Sequence, residues 1–152
     1  PVIALWGTLT GLVMALGSYI AHYFERLSLT LIATLISLSG LLFFAGANGT
    51  GIWGLGLITL YAFIYSIIMV VLESRIQHAI TTSSRAMVTS IYGFFHEITM
   101  VLIFYTAFGW FSESYGYASA FEWFGGSVVV IGIIIALAYS AGLIPRSHLS
   151  TK

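Results

Sequence analysis

The chain is expected to be an all-α, polytopic integral membrane protein with about five transmembrane helices, and three observations lead there. Of 152 residues, 59% are hydrophobic and 7% charged, whereas a soluble domain devotes roughly a quarter of its residues to charge. The apolar character, with a mean hydropathy of +1.02, runs the length of the chain in stretches long enough to cross a bilayer. The alternating pattern of an outer-membrane strand is missing, so helices are the form that satisfies the backbone in lipid.

A helix rising 1.5 Å per residue needs about 20 apolar residues to cross some 30 Å of hydrocarbon. Runs of that length lie at 2–22, 29–47, 52–72, 87–111 and 120–143. In the first, Gly7, Gly11, Ala15 and Ser18 recur at helical spacing, a small-residue stripe expected to let a neighbouring helix approach closely. A polar break with Glu25 and Arg26 follows. The second run, with Leu41, Leu42, Phe43 and Phe44, is strongly apolar, and Asn48, Gly49, Thr50 and Gly51 make the next turn.

In the third run Tyr61, Tyr65 and Ser66 are expected to share part of one face, with Thr59 nearby. The two tyrosines fall roughly 14 to 20 Å into the span, deeper than an interfacial belt, where a phenol needs a partner. That partner is either an adjacent helix or a molecule in a cavity. Glu73 and Arg75 close this run; they are either solvated at a helix end or one side of a cytoplasmic gate together with Arg85. Residues 73–86 form the longest polar connection.

The fourth run holds Glu97 near its middle, preceded by His96. An ionisable group at that depth costs at least about 2.5 to 3.5 kcal/mol on insertion scales, so it is expected to face a partner or a cavity. Burial favours the neutral form, which makes Glu97 a candidate for carrying a proton or holding a cation. Adjacent helical positions are about 100° apart, so His96 and Glu97 are expected to diverge. Tyr92 and His96 lie on one stripe, Ser90, Gly93, Glu97 and Met100 on its neighbour, together a broad polar face. The fifth run is the most aliphatic, with Val128 to Leu137 at its centre and Gly132, Ala136 and Ser140 as a second small-residue stripe. The second and fifth runs therefore read as peripheral.

The five basic residues, Arg26, Arg75, Arg85, Arg146 and Lys152, all fall on one side of this topology. Cytoplasmic loops retain Lys and Arg, so the amino terminus is expected outside and the carboxyl terminus in the cytoplasm. Zero formal net charge and no basic cluster exclude a nucleic-acid partner. There is no cysteine, and the four histidines show no helical metal-ligand spacing. No metal or cofactor is expected. The chain starts at Pro1 and enters a hydrophobic run at once, which reads as a fragment or a processed segment.

Ser74-Arg75-Ile76-Gln77, followed by Ser84-Arg85-Ala86-Met87-Val88-Thr89-Ser90, resembles the loop between the tenth and eleventh helices of major facilitator superfamily transporters. The resemblance implies that the five runs are the eighth to twelfth helices of a twelve-helix transporter fold, with peripheral ninth and twelfth helices. Of the family's signature after the eighth helix only Gly17 and Arg26 are present, with Ala21 in place of an acid, and Thr81 stands where a proline is common.

The expected function is secondary active transport of a small molecule by alternating access, coupled to protons, with efflux as one direction it could take. Glu97 and His96 are the coupling candidates, Tyr61, Tyr65 and Tyr92 the cavity walls, and a missing amino-terminal half the partner, in a cell membrane such as the bacterial inner membrane. Two other classes stay open: a non-transporting membrane subunit or assembly factor, and an intramembrane enzyme using His96 and Glu97 as acid and base. The short loops offer no nucleophile motif for the latter.

Overall fold

A computed structural model describes residues 2–80 and 84–143. Six α-helices follow in order: α1 (Val2–Ile20), α2 (Leu29–Asn48), α3 (Gly51–Ala79), α4 (Arg85–Ile103), α5 (Phe111–Tyr115) and α6 (Tyr117–Ser140). A 3-10 turn at Ala21–Phe24 extends α1, and a π-helical segment at Phe104–Trp110 joins α4 to α5. Among the described residues there is no strand. Five helical stretches of 20 to 30 residues are long and apolar enough to span a membrane, the fourth running continuously from Ala86 to Tyr115.

The expected runs are recovered with shifted ends. The third extends beyond 72 because Glu73, Ser74, Arg75 and Gln77 continue the helix, so much of the expected polar connection is helical. At 29 residues α3 is about 44 Å long and must tilt or protrude from the hydrocarbon layer. The last run begins earlier, at Tyr117, because Gly116 adopts φ +84°, a conformation open to glycine, and turns the chain sharply between α5 and α6. At the start of α2 the Ser28 hydroxyl accepts from the Leu31 backbone N–H at 3.2 Å, a side-chain cap.

The helices form an open row, with α1 against α3, α3 against α2, and α2 against α6. Glycine sets the closest approach. A Cβ on Gly40 would lie 2.7 Å from the carbonyl oxygen of Gly125 and the amide of Val129, and one on Gly132 would lie 2.8 Å from the carbonyl oxygen of Ala33. Such contact lets two backbones approach and gain dispersion energy, the main source of helix association in lipid. Gly17 plays the same part between α1 and α3, where it faces Phe63 and Ser66. The α1–α3 contact is finished by Trp6 Nε1, which donates to Thr59 Oγ1 at 3.0 Å.

Three expectations change here. Nothing lies within 4 Å of a Cβ on Gly7 or Gly11, and Ala15 and Ser18 are exposed, so the stripe on α1 faces away from the described helices. Its spacing permits packing but does not choose the face that packs. Helix α2, expected at the periphery, is central in the row, since Gly40 and Gly46 give it two close neighbours. Conversely, the fourth span is the least enclosed: no described residue of α4 is buried.

A core at one end gathers Ala21, Ile32, Ile67, Ile68 and Val71. Beside it the Arg75 guanidinium donates through Nη2 to the carbonyl oxygens of Glu25, at 3.0 Å, and Leu27. This ties the turn after α1 to α3. At the opposite end Phe43 is buried among rings from α3 and α6, with centroids 4.7 Å from Tyr61 and 5.1 Å from Phe121 and Phe124.

Candidate functional site

The fourth span stands apart from the row, and its winding changes along its length. Over Phe104–Trp110 the backbone is π-helical, and the Phe111 N–H bonds back five residues to the Thr106 carbonyl. Thr106 Oγ1 donates to the Leu102 carbonyl at 2.6 Å, and Ser112 Oγ donates to the carbonyls of Phe108 and, at 3.0 Å, Gly109. Hydroxyls that bond carbonyls of the preceding turn bend helices, and π segments occur often at functional sites. The Phe108 ring, 5.0 Å from Phe121, anchors this segment to α6.

Between α3, α4 and α6 this leaves a cavity of about 540 Å³. Tyr65 and Met69 of α3, Tyr92, His96 and Met100 of α4, and Phe124 of α6 help to form its wall. A second hollow of about 760 Å³ lies on another side of α4, lined by His96, Glu97, Met100 and Tyr105. A third, of about 380 Å³, lies toward Phe43, Tyr61 and Phe121. Met100 borders all three and His96 borders two, so the hollows adjoin around one helix.

The five residues expected on the cavity and coupling site fall around these hollows. Tyr61 and Tyr65 stack at 5.8 Å, as do Tyr92 and His96 at 6.2 Å. His96 Nδ1 stands 3.7 Å from Glu97 Oε1, near enough for an ion pair when the imidazole is protonated. The expected divergence of this pair is thus overcome by side-chain reach, since two flexible chains can converge from neighbouring backbone positions. His96 is 33% exposed and Glu97 79%. Glu97 therefore points away from the packed helices into the hollow it shares with Tyr105.

Other candidates separate. Ser66 is buried and donates to the Phe63 carbonyl at 2.8 Å on the side facing α1, where Thr59 donates to the Leu55 carbonyl at 2.8 Å and accepts from Trp6, so neither joins the tyrosines. A seven-residue interval brings Thr59 and Ser66 to one face, and Tyr61 and Tyr65 occupy another. Glu73 and Arg75 do not pair: Glu73 Oε1 accepts from Gln77 at 3.4 Å, and Arg75 holds backbone carbonyls. Their positions two residues apart put them on different sides of α3. The side chain of Arg85, like Thr81, Arg146 and Lys152, lies outside the described residues.

Met69, Met100, Trp110, Trp123 and Phe124 also line the main cavity and were not foreseen. Each looks like ordinary membrane-helix filling when read singly. Only Met100, on the same helical stripe as Glu97, carried a periodic hint.

Among the described residues no group of three or more His, Asp or Glu side chains could hold a metal ion. No protein-family model, curated protein or solved structure matches the chain. The fold defines the class by itself: this is a multi-pass α-helical membrane protein.

Proposed function

We propose that the chain forms part of a secondary active transporter that moves a small molecule by alternating access, with Glu97 carrying the coupled proton. The observation behind this reading is the pairing of a drug-sized cavity, walled by Tyr65, Tyr92 and His96, with an ionisable carboxyl one residue from that wall. Pockets of 300 to 1,000 Å³ with a few polar groups suit small ligands. A carboxyl inside a membrane helix most often serves an ion or proton path. His96 couples the two, since it borders both hollows and lies within ion-pair distance of Glu97.

Alternating access needs an element that can move against a fixed body. The row of α1, α3, α2 and α6 has the interlocked backbones of a fixed body, and the fourth span has the sparse contacts of a mobile one. In this reading the chain supplies the eighth to twelfth helices of a twelve-helix major facilitator fold in a cell membrane. The end bearing Arg26 and Arg75 lies in the cytoplasm.

The test is proton movement in proteoliposomes holding the full-length protein, with neutral, cationic and anionic solutes offered in turn. At least one solute should drive proton flux, and Glu97→Gln should abolish it while membrane insertion stays normal. Inserted protein that moves no proton with any solute, or Glu97→Gln protein with full flux, rejects the reading. An inert Glu97→Gln would favour a non-transporting membrane subunit.

A further inference from the structure

Building on the transport reading above, we infer that the cavity between α3, α4 and α6 binds a planar, largely apolar aromatic molecule that carries no anionic group. The wall chemistry carries this. Tyr65, Tyr92, Trp110, Phe111, Trp123 and Phe124 contribute six aromatic rings, and Met69 and Met100 add polarizable thioethers. Aromatic faces hold flat rings by offset stacking or edge contact, and methionine sulfur adapts to ring edges.

Charge narrows the class further. Among the described lining residues none is an arginine, lysine, aspartate or glutamate. A carboxylate or phosphate entering here would lose its water without gaining the charged or multiple donors such groups require. Polyols are excluded on the same count. The hydroxyls of Thr106 and Ser127 already donate to carbonyls of their own helix, at 2.6 and 2.8 Å. Tyr65 and Tyr92 are different: among the described residues neither hydroxyl has a hydrogen-bond partner. With His96 Nε2, which the Nδ1 contact to Glu97 leaves over, the cavity offers about three polar points. That number fits a heteroaromatic ring nitrogen or one phenol, and a sugar would leave most of its hydroxyls unpaired.

The cavity contains its own reporter. Trp110 and Trp123 line it, whereas Trp6 and Trp53 lie elsewhere, on α1 and α3. Acridine, a planar heteroaromatic weak base, should quench tryptophan fluorescence saturably when added to the full-length protein in phosphatidylcholine nanodiscs. The quenching should vanish in the Trp110→Phe/Trp123→Phe double variant, which keeps the rings. Replacing Tyr65 and Tyr92 together by leucine should weaken binding by about tenfold, the combined size of two ring contacts. Benzoate and glucose should have no saturable effect.

Acridine quenching that survives loss of both cavity tryptophans overturns the proposal, as does saturable binding of benzoate or glucose without acridine. The transport reading is separable, because binding needs no gradient. Acridine that binds as described without proton flux supports this site and rejects coupling. Solute-driven flux that depends on Glu97, in protein that ignores acridine, keeps transport and rejects this ligand class.

Discussion

The α2–α6 pair and the fourth span are all helices long and apolar enough to cross a membrane, yet the pair is locked and the fourth span nearly free. In the pair, Gly40, Gly125 and Gly132 bring backbone against backbone with no room for a methyl group. In the fourth span no described residue of α4 is buried, and a π-helical segment interrupts its regular winding. Hydrophobicity does not separate helices in lipid, because lipid tails are as apolar as leucine. Close backbone approach does, and the fourth span lacks it. Its exposed side holds Glu97, so the polar group sits on the element least held by the others.

The comparison breaks most readily at the locked pair. Gly40→Leu places a side chain against Gly125 and Val129 and should cost about 3 kcal/mol or more, the upper range for overpacking. Thermal unfolding of purified protein in detergent checks it. A stability within error of wild type would mean that the α2–α6 approach is not the fixed body of the molecule.

Glu97→Gln, on the free element, should do the reverse. Solute-driven proton flux should fall to background, with stability within about 0.5 kcal/mol of wild type, as for an unpacked position. A large loss of stability would show that the carboxyl is a packing group held by another helix.

Amide hydrogen exchange in nanodiscs sharpens the contrast without substitution. Amides of residues 104–110 should exchange at least about tenfold faster than those at the centres of α2 and α6, corresponding to some 1.4 kcal/mol of opening energy. Equal protection would remove the π segment as the yielding part of the span.

The smallest effect belongs to α1. Gly11→Ala adds a methyl group where nothing lies within 4 Å and should change stability by no more than about 0.5 kcal/mol. A larger loss would indicate that another part of the full-length protein covers this stripe.

Much of the candidate site was legible residue by residue. Tyr61 and Tyr65 stood too deep for an interfacial belt, and Glu97 was conspicuous as an ionisable group within an apolar run. What could not be read was their surroundings. Ser66 was read onto one helical face with the tyrosines, and Thr59 as their neighbour, yet α1 claims both through Gly17 and Trp6. Arg75 was a gate candidate, and its guanidinium instead secures the turn after α1. Trp110, Trp123 and Phe124 gave no signal, because aromatic residues are common in membrane helices and become a wall only when three elements bring them together.

By itself the sequence determined that this chain lives in a bilayer, as about five helices, with its polar groups in the third and fourth. Those properties are local: crossing hydrocarbon requires a length and an apolar content, and both can be counted along the chain. Only the tertiary structure decided that Gly40 and Gly132 pack while Gly7 and Gly11 do not, that α2 is central, and that the fourth span stands off around a cavity. A helix presents several compatible faces at once, and the shape of its neighbours selects among them.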